Sequence, residues 1–212
     1  MSQADRDNWG SIVRSGQPML SRDESIRLLN EYARGAGWVK HCLAVATLAS
    51  RLGHAIRMRY DIDHDYLWSA ALLHDIGRCV THDPVMHGVE GYNLLRKLDH
   101  TREASVCISH ILFGLEASEA VQFGLPAHDF IPRTIEERLV PLADLMIEGD
   151  QPTTLNRRFA SLRKRYVENS FLMDRLDRAQ QTAKSFMIQL SEEIGDSIEK
   201  IVANWLKNGT SQ

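Results

Sequence analysis

Runs of alternating β-branched residues are missing from this 212-residue chain, so its pattern argues against a sheet-built fold. Cysteine is scarce. Cys42, Cys79 and Cys107 form no CxxC pair, which excludes a zinc ribbon, and an odd count without a signal peptide suits reduced thiols in the cytoplasm. Long apolar stretches are also lacking: the longest uncharged run, residues 104–115, has 12 residues, short of the roughly 20 that span a bilayer. The expectation is a cytoplasmic protein with no membrane partner. Charge of one sign is not in excess either. Residues 1–150 carry 15 basic and 21 acidic side chains, and 151–212 carry 10 and 7, a balance that does not favour nucleic-acid binding. Internal repeats and low-complexity segments are absent.

What remains is ordinary globular material, 43% hydrophobic and 25% charged, enough for a core without metal or disulfide staples. Its periodicity is helical nearly throughout, which predicts an all-α fold. Ser21 and Glu24 form a capping box for a helix bearing Ile26, Leu29, Tyr32 and Ala33 that stops at Gly35. Further helices are expected over about 38–57, 65–76, 86–98 and 101–112, with a short one near Ser118. Thr134 and Glu137 open another, reaching about Ile147 with a kink expected at Pro141. The stripe Leu176, Ala179, Ala183, Met187, Leu190, Ile194, Ile198, Ile201, Trp205 advances about 3.6 residues per step, the period of one straight amphipathic helix. Gly195 in its interior costs about 1 kcal/mol relative to Ala, so packing is expected to hold that helix. The stripe suits either the chain's own core or a homodimer interface. The domain reading is an N-terminal segment 1–20, a main domain 21–166 and a C-terminal helical extension 167–212 packed on it.

Nine histidines stand out, six of them between His64 and His110. Their helical phase divides them. His41 continues the apolar row Val45, Leu48, Leu52; His74 continues Leu67, Ala70, Ala71; His87 continues Gly91, Leu94, Leu95; and His110 lies between Cys107 and Ile111. Asp144 falls in the row of Val140 and Ile147, and Asp75 is rotated about 100° from His74 around the same expected helix. His54 lies across its helix from His41, and His64, His82, His100 and His128 fall in expected turns. Any single inward His is well explained as a satisfied core residue. For four of them with two carboxylates that account weakens, because a core gains nothing from collecting ionisable groups with few inward cations to balance them. A metal centre resolves it, and imidazole with carboxylate suits Fe, Mn, Co, Ni or Zn.

The stretch Leu72-Leu73-His74-Asp75-Ile76-Gly77-Arg78, with His41 in His41-Cys42-Leu43-Ala44-Val45-Ala46 upstream and Asp144 in Leu142-Ala143-Asp144 downstream, resembles the H…HD…D signature of the HD-domain metal-dependent phosphohydrolases, in the HDIG subgroup. The resemblance covers about residues 22–166. His87 in His87-Gly88-Val89-Glu90-Gly91 and His110 in Ser109-His110-Ile111 resemble the middle pair of members that hold two metals, the HD-type diadenosine tetraphosphate hydrolases among them. The resemblance implies an HD-domain helical bundle in which His41, His74, Asp75 and Asp144 bind a first divalent metal. Asp75 would bridge to a second held by His87 and His110, with Fe or Mn favoured over Zn, Co or Ni. It further implies a bridging hydroxide attacking a phosphomonoester or phosphodiester of a small nucleotide-like substrate, Asp75 being catalytic through its bridging role.

Arg78 follows Asp75 and His74 at helical spacing for one face and suits a bidentate contact to phosphate, the second catalytic assignment; the plainer account is a helix-terminal Arg after Gly77. The Gly-Tyr-Pro motif of the diguanylate-degrading branch is absent, which disfavours cyclic dinucleotides. Ile111-Leu112-Phe113-Gly114 stands where short HDIG relatives often carry small residues, a difference that bears on pocket shape. The basic run Arg157, Arg158, Arg163, Lys164, Arg165 reads as the solvated face of a helix, with steering of an anionic substrate as the alternative. Three rival functions stay open: a mononuclear nucleotidase in which His87 and His110 touch phosphate, a non-catalytic nucleotide-binding module, and a scaffold that dimerises through its C-terminal helix.

Overall fold

A computed structural model describes residues 20–208, the side chains of 205–208 excepted. The expected segment 1–20, apart from Leu20, and the side chain of Trp205 therefore lie outside the described residues. The fold is all-α, as the periodicity predicts. Both expected capping boxes form. Ser21 Oγ accepts from Glu24 N while Glu24 Oε2 accepts from Ser21 N at 3.0 Å, starting α1 (Arg22–Ala33), and Thr134 and Glu137 do the same for α7 (Ile135–Leu145).

Between them the chain forms α2 (Val39–Ile56), α3 (His64–Leu73), a 3₁₀ turn over Ile76–Cys79, α4 (Met86–Lys97), α5 (Thr101–Ser109) and the short α6 (Ala117–Ala120). Helix α2 occupies the centre. It packs on α3 and α7, and receives α9 (Ser170–Ile194) and α10 (Ile198–Asn208) from the C-terminal part of the chain. Its small residues Ala44, Ala46 and Ala49 are buried along with Val45, Leu48 and Leu52, which lets neighbouring helices approach from several directions. Helix α8 (Leu155–Arg165) packs between α7 and α9. Among the described residues no helix is long and apolar enough to cross a membrane.

Four expectations are corrected. The helix expected to run through Ile76 ends at Leu73, and Asp75 adopts φ −103°, ψ 10°, so His74 and Asp75 form a helix end and turn rather than two positions on one helix. The helix expected to reach Leu112 stops at Ser109. Leu112, Phe113 and Gly114 then take φ values of 49°, 65° and 101°, a run of left-handed residues that reverses the chain. The helix expected to reach Ile147 ends at Leu145 and leads into a hairpin, β1 (Ile147–Glu148) and β2 (Gln151–Pro152), turning at Gly149-Asp150. Lastly, the C-terminal stripe is not one helix. Gly195 sits at φ 69° and ends α9, and α10 begins three residues later with Ile198 buried. The stripe crosses the break because both helices lie on the same core; within it Phe186 and Val202 are buried where the spacing favoured Met187 and Ile201.

Candidate metal centre

Each inward histidine is oriented by its own backbone surroundings. His74 Nδ1 lies 2.7 Å from Ala71 O, His87 Nδ1 2.7 Å from Asp83 O, and His110 Nδ1 3.1 Å from Val106 O, all contacts to the preceding turn. His41 Nδ1 reaches across the fold to Gly149 O at 2.7 Å, so the β1–β2 turn orients a residue of α2. A carbonyl only accepts hydrogen bonds, so each Nδ1 carries a proton and each ring turns Nε2 towards the interior. This outer contact to the far ring nitrogen is the arrangement that fixes metal-binding histidines.

The four Nε2 atoms converge on two carboxylates. His41 Nε2 is 2.9 Å from Asp144 Oδ1, and His74 Nε2 is 3.9 Å from the same oxygen. Asp75 divides its two oxygens: Oδ2 lies 3.8 Å from His41 Nε2 and 3.7 Å from His74 Nε2, while Oδ1 lies 2.9 Å from His87 Nε2 and 3.7 Å from His110 Nε2. Two donor groups result, His41-His74-Asp75 and Asp75-His87-His110, with Asp75 common to both. All six residues singled out as ligands are thus brought together, and Arg78 joins them by donating from Nε to Asp75 Oδ2.

The donor set fits divalent cations. His74 Nε2 is fully buried without a hydrogen-bond partner, and His87 Nε2 faces His110 Nε2 at 3.3 Å, so lone pairs meet lone pairs unless a proton or cation lies between them. Burial, with the neighbouring His74 and His87, pushes the His110 pKa down to about 3, which keeps its ring neutral and available as a ligand. Burial also lowers His74. Burial opposes ionisation of Asp75 and Asp144, but the facing histidines outweigh it and hold both carboxyls well below their ordinary range. At His41 the burial penalty is overcome by the hydrogen bond and charge of Asp144, and its pKa rises.

Close backbone approach positions this set. A Cβ on Gly77 would stand 1.9 Å from His87 O and 2.4 Å from Gly91 N, so glycine lets the turn after Asp75 lie directly against α4. Gly88 does the same for α4 against α5, where a Cβ would meet Cys107 O at 2.4 Å. Asp75 is thereby held between His74 on one side and His87 and His110 on the other.

The centre opens into a cleft enclosing about 580 Å³ of space, adjoining solvent included. Asp75, Arg78, His87, His110, Asp144 and Arg158 line its polar end. Leucines 112, 145, 162, 172 and 176 with Tyr166 line much of the rest. Two contributions were not foreseen from the sequence. Gly149 acts through its carbonyl, and the Gly149-Asp150 pair was the available signal, a two-residue hairpin turn. Arg158 was read as one member of a basic run, solvated or steering an anionic substrate from the surface, yet its side chain is 12% exposed and faces the cleft.

Comparison with known proteins agrees with this geometry. A family model described as HD domain matches residues 38–147. An uncharacterized protein of Methanocaldococcus jannaschii is 38% identical over 133 residues, 62% of this chain and 78% of that one. A protein of Thermoplasma volcanium named tRNA (cytidine(56)-2'-O)-methyltransferase is 33% identical over 176 residues, 82% of this chain but 48% of that one. Ribonuclease Y of Alkaliphilus metalliredigens is 29% identical over 182 residues, 85% of this chain and 34% of that protein. The chain thus spans half or less of these two longer relatives. No solved structure matches. On the family match and the Methanocaldococcus relative, the chain belongs to the HD-domain family, and through it to the superfamily of metal-dependent phosphohydrolases.

Proposed function

We propose that the protein is a phosphohydrolase with two divalent cations per chain, Fe or Mn favoured, which cleaves a phosphomonoester or phosphodiester bond of a small nucleotide-like substrate. The observation that carries this reading is the division of Asp75, one oxygen towards His41 and His74 and the other towards His87 and His110. His41, His74, Asp75 and Asp144 would hold one cation, and Asp75, His87 and His110 the other. When bound, such cations supply Lewis acidity, making water acidic enough to act as a nucleophile and offsetting phosphate charge.

The chain's own groups do the rest. The four Nδ1 contacts to backbone carbonyls fix the rings before substrate arrives, so little reorganisation accompanies binding. Arg78 uses Nε on Asp75, which leaves the donors on its two terminal nitrogens for phosphate oxygens. The apolar cleft walls limit water beside the reacting phosphate. Two of the relatives carry RNA chemistry in their names, which supports a nucleotide-type substrate; the small, partly enclosed cleft and the net charge of −3 favour a small molecule over a polynucleotide.

Elemental analysis and turnover on one preparation test the reading. The expected result is two metals per chain, with phosphate released from mononucleotides or dinucleotides in Mn²⁺ or Fe²⁺. One metal per chain, with activity kept in His87→Ala and His110→Ala, would replace it by the mononuclear nucleotidase. Nucleotide binding without phosphate release would replace it by a non-catalytic module.

A further inference from the structure

We propose that Arg158 is a second phosphate-binding residue, and that the cleft takes a phosphate ester of an aromatic, nucleoside-like group, with the phosphate towards Arg158 and the ring among the leucines. The inference rests on the phosphohydrolase reading for its account of turnover, but its binding claim stands on separate observations. Arg158 belongs to α8, beyond the matched residues 38–147. The chain from Asp144 passes through the end of α7 and the hairpin that His41 grips at Gly149, then enters α8 at the N-cap Thr154. That path returns the first turn of α8 over the cleft.

Among the basic run of α8, Arg158 faces inward while Arg157 and Lys164 are exposed. Its guanidinium is poorly satisfied. Nε is buried without a hydrogen-bond partner, and its ion pair with Glu148 is 3.8 Å long, beyond hydrogen-bonding distance. Glu148 is also engaged by Ser161, which donates to it, and lies 4.0 Å from Arg165. A largely buried guanidinium with an unused donor in a cleft beside metal-type ligands has the chemistry of a planar, bidentate anion receptor. It lines the same cleft as Asp75 and Asp144, which places it beside the centre.

The remainder of the cleft defines what the phosphate carries. Beyond the centre and its two arginines, Leu112, Leu145, Leu162, Leu172 and Leu176 offer no hydrogen bonds, and Tyr166 is the aromatic side chain among the lining residues. A sugar phosphate would leave its hydroxyls facing those leucines, a loss of hydration without replacement. A flat ring loses little by the same contact and gains from Tyr166.

Calorimetric titration of the Mn²⁺-loaded full chain tests this with non-hydrolysable probes. Orthophosphate, methylphosphonate and phenylphosphonate are compared in wild type, Arg158→Ala and Arg158→Lys, with metal content and Tm measured on each. Loss of the arginine is expected to weaken all three probes roughly tenfold or more at unchanged metal content, with partial rescue by lysine. Phenylphosphonate is expected to bind wild type about tenfold more tightly than methylphosphonate, a preference that Arg158→Ala retains. Should Arg158→Ala lose metal or fail to fold, Arg158→Gln is read in its place with the same outcomes. Equal probe affinity with and without the arginine, or no orthophosphate binding by wild type, overturns the Arg158 assignment. Equal affinity for the methyl and phenyl probes overturns the aromatic substrate class. Arginine-dependent phosphonate binding in a wild type that releases no phosphate from nucleotides upholds the Arg158 site while removing the hydrolase reading.

Discussion

The two sides of the cleft are built differently. On the ligand side, α2, α3, α4, α5 and α7 bring the metal-type side chains together through backbone contact: Gly77 against α4, Gly88 against α5, and ring nitrogens fixed to carbonyls one turn away. On the opposite side, α8, α9 and residues 111–114 present leucines and an arginine. That wall hangs on side-chain contacts. Arg175 of α9, itself buried, donates to Gly114 O and to both oxygens of Glu119, tying the left-handed run that follows His110 to the long helix. Backbone contact tolerates almost no substitution, whereas a leucine wall tethered through side chains can be reshaped residue by residue. On the function proposed above, this difference would leave the chemistry to groups held by main chain and the selectivity to side chains.

Substitutions on each side sharpen the contrast. Asp75→Asn should have the largest effect, since it removes the charge that both donor groups share; on the two-cation reading proposed above, elemental analysis should find the metal lost from both groups, and turnover should go with it. Gly77→Ala should cost about 3 kcal/mol, because the new methyl meets main-chain atoms that cannot swing aside, and calorimetry should show Tm lower by roughly 10 °C. If that variant keeps the wild-type Tm, the backbone account of the ligand side is wrong. Arg175→Met should cost about 2 kcal/mol by leaving Gly114 O without this donor and Glu119 with only its bonds from Arg178 and Glu116 N, and should raise KM more than it lowers metal content. Metal loss as severe as that of Asp75→Asn would instead make the wall part of the ligand scaffold. Ser21→Ala, remote from both sides, should remove only an N-cap worth about 1 kcal/mol, leaving metal content and kinetics untouched.

Much of the ligand side was legible beforehand. The phases of His41, His87 and Asp144 against apolar neighbours placed them inward, and local capping signals marked α1 and α7. His74 and Asp75 were correctly brought to one interior space but by the wrong geometry, since a helix end rather than a 100° step separates them. The break at Gly195 escaped notice because the hydrophobic period continues across it: one core selects apolar residues on both helices whether or not the backbone between them is helical. The left-handed run after His110 was equally hidden, for Leu112 and Phe113 are not residues that advertise positive φ.

The sequence by itself determined where α1 and α7 start, which face of α2, α4 and α7 turns inward, and that metal-type ligands on separate helices share one interior. These follow from interactions within a few residues, capping hydrogen bonds and the 3.6-residue period, which act before distant segments meet. Tertiary packing alone decided that Asp75 offers one oxygen to each donor group, that the Gly149 carbonyl orients His41, and that the face of α8 carrying Arg158 lies against the cleft. Each depends on how far one helix is rotated against another, and adjacent helical residues differ by only 100° in direction. What the face of α8 carrying Leu155, Arg158 and Leu162 meets is set by its contacts with α7 and α9, between residues far apart in the chain, and no local pattern encodes that.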